Sequence, residues 1–465
     1  MTDTTADFLG RLTAALPSGT VVPGAEAPER YWHDWSGLAP VRPLAVVLPR
    51  ETEHVAATLR LCHEAGIAAV PQGGLTGLAG GAHPIAGCVV LNLERMNGVE
   101  EVDPVMATIT VKAGTPLATV QAAAEEAGFA FMLDLGARGS CAIGGNISTN
   151  AGGNRVIRYG MAREHVLGLE FVLADGTVVR SLNKMLKNNA GYDLKQMLIG
   201  SEGTLGVITR AVLRLQAKPT TVSTALCRVA DYPAVLALLT GARKRLGPSL
   251  TAFEVMWPSF YETMYGGLPQ LRRPFGTAGD IHVILEASGF DPGRDAERFE
   301  ECLAALVEDG VLIDVIVAGS ERETKEIWAV RESVSEYGRV LGRIIAFDIG
   351  LPTTTIGDFV ERAIAALTAR WPDVRALTYG HIGDSNLHLV VNVPSAGQHQ
   401  PEHEVDDLVY DMAGAAGGTI SAEHGIGTVK KPYLNRSRTP AELATMRRLK
   451  QALDPKGILN PGKVV

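Results

Sequence analysis

Pro71-Gln-Gly-Gly-Leu-Thr-Gly-Leu-Ala-Gly-Gly81 follows the short apolar run Ile67-Ala-Ala-Val70, and its reading decides the fold. Five glycines in eleven residues let the backbone approach a ligand closely and adopt positive φ. Successive N–H groups can then form a nest for a phosphate or pyrophosphate. The spacing is not G-x-G-x-x-G, and no Gly-Lys-Ser/Thr follows, so neither a Rossmann nor a Walker loop is present here. The competing reading is a flexible surface loop. A buried strand directly before the cluster favours the cradle.

Two further clusters extend the pattern. Gly136-Ala-Arg-Gly-Ser-Cys-Ala-Ile-Gly-Gly-Asn-Ile-Ser-Thr-Asn-Ala-Gly-Gly-Asn154 is long, small-residued and rich in hydroxyls and amides, as a loop wound along a flat ligand would be. Asn189-Ala-Gly-Tyr-Asp193 is followed by Gly200-Ser-Glu-Gly-Thr-Leu-Gly-Val-Ile208. Around them, apolar runs at 46–48, 67–70, 88–91, 108–112 and 167–173 predict strands. Thr52 to Glu64 predicts a helix with Val55, Leu59 and Cys62 inward and Thr52 as its cap. Ala174-Asp-Gly-Thr177 is a hairpin turn leading into Val178. Beyond Lys218-Pro219 the glycine clusters stop. Strands near 222–229, 251–256, 281–287 and 311–317 alternate with helices near 232–245, 294–309 and 324–341, an α+β pattern with helices on one face of an antiparallel sheet. The expected division is 1–217, 218–415 and a closing segment 416–465.

With 465 residues the chain has room for more than one core. The net charge of −8 and pI near 5.8 give no footing for a nucleic-acid or anionic-membrane partner. The cysteines (Cys62, Cys88, Cys141, Cys227, Cys302) are odd in number and form no CxxC pair, which reads as reduced core thiols. A polar N-terminus without a basic-then-apolar signal, and no apolar run of about 18 residues, predict a soluble cytoplasmic protein without a membrane span.

Gly380-His-Ile-Gly-Asp-Ser-Asn-Leu-His388 holds two histidines at an odd spacing. On one straight strand they would face opposite ways. Gly383-Asp-Ser-Asn386 is a turn signal that folds the chain back and lets the imidazoles converge. Ser421-Ala-Glu-His-Gly-Ile-Gly427 adds a carboxylate and a third histidine. Two imidazoles and a carboxylate suit Zn²⁺, with Mn²⁺ or Fe²⁺ as alternatives. Ordinary hydrogen-bonded histidines are the competing reading. In the predicted 324–341 helix, Arg331 falls within the apolar face of Ile327, Val330, Val334 and Leu341, and Ser335 lies one turn on. A charge there needs a partner. It can be Glu332 or Glu336, solvent at the end of a snorkelling side chain, or a bound carboxylate.

The glycine clusters, Arg158-Tyr-Gly160, the Gly200–Gly206 turn and Asn460-Pro-Gly-Lys463 together resemble the vanillyl-alcohol-oxidase-type flavoproteins. Within them the match is to the branch of D-lactate, glycolate and D-2-hydroxyglutarate dehydrogenases. The resemblance implies a two-lobed α+β FAD-binding domain and an antiparallel-sheet domain, with non-covalent FAD. The cofactor-binding positions it implies are Pro71, Gly73, Gly74, Thr76, Gly77, Gly145, Asn146, Thr149, Asn150, Gly153, Ile208 and Asn460. His83, the one nearby residue that could link flavin covalently, reads as a solvated loop histidine. The resemblance also implies a divalent metal on His381, His388 and Glu423, a base at His424, and a substrate carboxylate on Arg331 with Ser335. The implied reaction is oxidation of a D-2-hydroxy acid by hydride transfer to flavin. Where relatives specific for hydroxyglutarate carry a lysine and an asparagine, this chain has Ala346 and Val390. That leaves D-lactate, D-malate, D-2-hydroxyglutarate or a more apolar D-2-hydroxy acid as substrates. Electron-transfer flavoprotein, a quinone or a cytochrome would take the electrons, and a homodimer is compatible with the sequence. Other readings are an alkyl-transferring synthase of the same fold, a metal-dependent hydrolase, and a non-catalytic FAD-binding subunit of a redox complex.

Overall fold

The computed structural model describes residues 3–276 and 279–465. Its contacts divide the chain into two units. The first contains residues 1–153, 160–218 and 423–465, and the second 154–159 and 219–422. The sequence reading placed its last boundary at 415. The chain instead stays with the second unit through Ala422, and the short piece 154–159 belongs there too.

Among the described residues the first unit has two larger sheets and a small antiparallel pair, Phe129–Ala130 with Gln216–Ala217. One larger sheet orders its strands Val21–Pro23, Ala45–Val47, Val89–Asn92, Ala69–Gln72, and the last three run parallel. The other is antiparallel, in the order Val99–Asp103, Thr108–Lys112, Val207–Arg214, Val166–Val172, Val178–Ser181. The helix Thr52–Ala65 buries Val55, Leu59 and Cys62, as its spacing predicts. It stops at Gly66, whose φ of 65° closes the last turn. Thr52 is not its cap. Glu51 holds the capping position without a side-chain bond, and Thr52 Oγ1 donates to the buried Glu170 carboxylate at 2.5 Å. The Ala174–Thr177 turn forms as expected, with Leu173 N–H on the Thr177 carbonyl. The five cysteines are buried and free. No helix among the described residues is long and apolar enough to cross a membrane.

The second unit is built on one seven-stranded sheet, in the order Asp314–Val317, Thr221–Val229, Ile281–Gly289, Leu250–Met256, Arg375–Gly380, Asn386–Asn392, Ile345–Gly350. Every pairing is antiparallel. Directly opposed residues share a face. One row therefore crosses all seven strands: Asp314, Arg228, His282, Met256, Tyr379, His388, Asp348. On this face Leu226, Ile284, Met256 and Tyr379 pack with Phe260, Ile327 and Trp328 from the helices Pro258–Gly267 and Glu321–Glu332. Phe347, next to Asp348, points the other way and meets Tyr410 of the helix Glu402–Ala415. The sequence assigned the helices to one face; the sheet carries them on both.

Candidate active site

The first loop leaves the strand Ala69–Gln72 and stays irregular through Gly81. Among the described residues, no protein acceptor takes the N–H of Gly73, Gly74, Leu75, Thr76 or Gly77. Leu75 has φ 63°, the left-handed step that turns successive N–H groups toward one side. A Cβ on Gly77 or Gly145 would enter open space, whereas one on Gly74 would sit 1.9 Å from the Ser140 carbonyl oxygen. The loop is thus pinned at Gly74 and open at Gly77. Such a row of free donors suits an anion.

The second cluster is not wholly loop. Ile143–Thr149 is a helix, closed by Asn150 with φ 52°. Asn146 lies in it, buried, with its Oδ1 unpartnered. Thr149 Oγ1 donates to the Gly145 carbonyl. The Asn150 side chain accepts from Arg163 N–H, so it serves the backbone. Gly153 needs to be glycine, since a Cβ would meet the Asp134 carbonyl at 1.9 Å. The Ile208 side chain lies in the hydrophobic core, which leaves only its backbone for a ligand. Pro71 lies in the strand, against the Gly203 turn. Asn460 Nδ2 donates to the Gly81 and Glu202 carbonyls at 2.8 and 2.7 Å, stapling the first loop to the third turn, while its Oδ1 stays unpartnered. Free loop donors and orphaned buried amide oxygens fit the phosphate and polar edges of a dinucleotide. His83 is buried, not solvated, and its carbonyl accepts from Lys463 Nζ.

In the second unit the chain turns back through the short 3-10 segment Ile382–Asp384, with Ser385 at φ 73° and Asn386 N–H on the His381 carbonyl. The turn brings His381 and His388 together, ring centroids 5.3 Å apart. His381 Nδ1 lies 2.6 Å from Glu254 Oε1, and the other oxygen of that carboxylate accepts from Arg331 Nε at 2.8 Å. Arg331 Nη2 stands 3.2 Å from His381 Nε2, and its guanidinium lies over the Tyr379 ring. Burial pushes the Glu254 carboxyl up, but the His381 imidazole and the Arg331 guanidinium hold it below the usual range. Arg331 does have a partner, but across the sheet rather than at Glu332 or Glu336. The predicted helix ends at Glu332 and continues as 3-10 turns, so Ser335 leaves the Arg331 face and is exposed. Ala346 and Val390 oppose each other directly, on the same face as His388.

Asp348 holds the next part of the chain, accepting from Ser421 Oγ and Ala422 N–H, both at 3.1 Å. Glu423 follows Ala422 directly. Three residues on, in the first unit, Ile426 and Gly427 donate their N–H groups to the buried Glu202 carboxylate. Glu423 and His424 thus lie in a short span tied on both sides. Sequence reading missed Glu254, Asp348 and Glu202. Glu254 left a signal: it is the lone charge in an otherwise uncharged strand, Thr251-Ala-Phe-Glu-Val-Met256.

Residues 218–464 match the family model described as FAD linked oxidases, C-terminal domain, and residues 43–181 match the FAD binding domain model. The chain is 41% identical to the mitochondrial D-2-hydroxyglutarate dehydrogenase of Bos taurus, across 99% of this chain and 83% of that one. The chain belongs to the FAD-linked D-2-hydroxyacid dehydrogenase family. Another member, the D-2-hydroxyglutarate dehydrogenase of Stutzerimonas stutzeri, is 34% identical over 98% of both chains. The fold is shared more widely. A p-cresol methylhydroxylase structure with substrate bound superposes with a TM-score of 0.78 at 15% identity, covering 100% of this chain and 97% of that one. An alkyldihydroxyacetonephosphate synthase structure does so with a TM-score of 0.76 at 18% identity, covering 98% and 86%. The free donors of the 71–81 loop thus lie in a family FAD-binding domain.

Proposed function

We propose that this protein oxidises a D-2-hydroxy acid to the 2-oxo acid, with His424 as base and with a divalent metal, Zn²⁺ first, held by His381, His388 and Glu423. The observation that carries the reading is the turn that converges His381 and His388 beside Arg331 in a chain of this family. FAD, when bound, supplies the hydride acceptor. The metal, when bound, supplies Lewis acidity next to the substrate hydroxyl. Glu423 directly follows the residue that Asp348 pins, and Asp348 opposes His388 in the sheet, which supports the third ligand. Arg331 binds the substrate carboxylate through its Nη edge, because its Nε is held by Glu254. His424 takes the hydroxyl proton as general base. Ser335, being exposed, has no part in this scheme.

The names of the relatives put D-2-hydroxyglutarate first among substrates. The apolar Ala346–Val390 pair supports D-lactate, D-malate and more apolar acids as competitors. The test is an anaerobic titration of the FAD-loaded protein with D- and L-acids of this series, following visible flavin absorbance. Bleaching by D-acids alone is expected, and its ranking names the substrate. A yellow protein that none of them bleaches, with Zn²⁺ or Mn²⁺ added, would sink the proposal and favour the synthase or subunit reading.

A further inference from the structure

The strand Leu250–Met256 is buried along its whole length and carries one charge. Glu254 sits at its fifth position, 1% exposed, and its two oxygens serve two different side chains. Oε1 faces His381 Nδ1 at 2.6 Å, and Oε2 accepts from Arg331 Nε at 2.8 Å. All three side chains are buried. The pairing is built into the sheet. Val255 opposes Gly380, so the residues that follow in opposite directions, Glu254 and His381, come side by side. A carboxylate has no proton to give at that distance, so Nδ1 must carry the hydrogen, and the neutral ring in that tautomer has its lone pair at Nε2. Arg331 Nη2 stands 3.2 Å from that same nitrogen.

We propose that Glu254 is a positioning residue that ties His381 and Arg331 to one rigid carboxylate, setting the tautomer of the first and the aim of the second. The inference rests on the metal and substrate roles given to those two residues above. A metal ligand whose second ring nitrogen donates to a carboxylate is fixed in orientation and made more basic. An arginine held through Nε keeps its Nη edge for another anion. A simpler role for Glu254 is to neutralise a buried arginine. The two roles differ in what happens when Arg331 is removed.

The experiment measures Zn²⁺ affinity of the full FAD-loaded chain by competition with a chromophoric chelator, with flavin absorbance and melting temperature reporting that each variant is folded. Glu254→Gln keeps the shape but offers one acceptor and one NH₂ group to two donors. Its Zn²⁺ affinity is expected to fall by about 10–100-fold, and the fall should persist when Glu254→Gln is made in an Arg331→Gln background. Affinity equal to wild type in a folded Glu254→Gln, or a fall that vanishes without Arg331, overturns the proposal. If Glu254→Gln does not fold, ¹⁵N-histidine spectra of the wild type decide, with His381 assigned from the His381→Gln variant. A protonated Nδ1 with bare Nε2 supports the proposal, and a protonated Nε2 overturns it. Wild type that takes up no Zn²⁺, or a His388→Gln variant that binds it unchanged, defeats the metal reading itself, whatever Glu254 does.

Discussion

Gly74 and Gly77 stand three residues apart in the first loop and do different work. A side chain at Gly74 collides with the Ser140 carbonyl, and one at Gly77 meets nothing in the protein. Gly74→Val should therefore lower the stability of the unit, while Gly77→Val should leave the melting temperature of the FAD-free protein nearly unchanged and weaken FAD binding. Equal FAD affinity in a folded Gly77→Val would remove this stretch from the cofactor site. On the proposed mechanism, His424→Ala keeps the bound flavin yellow and slows its reduction by substrate by about 10²–10⁴-fold, the usual contribution of a positioned base. Stopped-flow reduction at wild-type rates would take the base role away from it.

The turn His381–Asn386 is the element on which the site depends. It converts an odd spacing, which points two side chains apart on a straight strand, into convergent imidazoles. Gly383 allows the turn to pack: a Cβ there would lie 2.5 Å from Ile157 Cδ1 and 3.1 Å from Phe253 Cβ. Arg243 Nη2 also donates to the Gly383 carbonyl, at 2.5 Å. Gly383→Val should push the turn off its seat and misalign the histidines. The expected result is a folded, FAD-binding protein that retains less Zn²⁺ through dialysis than wild type. Retention at the wild-type level would show that the turn tolerates the displacement.

Across the whole molecule, buried bases set the response to pH. Burial pushes the imidazoles of His165 and His282 down to about 4, with Arg214 acting on the first and Arg228 and Arg273 on the second. The unfolded side chain titrates near 6.5, so below that value the unfolded chain binds more protons and stability falls as pH drops from about 6.5 toward 4. Burial likewise pushes the Lys463 ammonium down to about 8, against the attraction of Cys88 and Asp34. Between about 8 and 10.4 the unfolded chain again holds the extra proton, so this lysine makes stability rise with pH there. Urea midpoints between pH 4.5 and 7 check the acid side. His282→Phe, which keeps the stack on Tyr261, should flatten the slope, and an unchanged slope would acquit that histidine.

What the sequence determined by itself is what a few neighbouring residues encode. The nest loop, the Ala174–Thr177 hairpin, the 381–386 turn and most strands were legible because φ preference, turn chemistry and apolar period act within a handful of positions. Thr52 misled as a cap because its hydroxyl had a better partner 118 residues away in Glu170. Ser335 misled because the α-helix ends at Glu332, a local break that the apolar period runs straight through. The partner of Arg331 was out of reach for a deeper reason. Glu254 lies 77 residues away, and only the register of the Leu250–Met256 strand against Gly380 puts its carboxylate between Arg331 and His381. Sequence spacing encodes which way a side chain points along its own strand. Which buried charge it finds there is decided by the pairing of strands distant in the chain, and so by the tertiary structure alone.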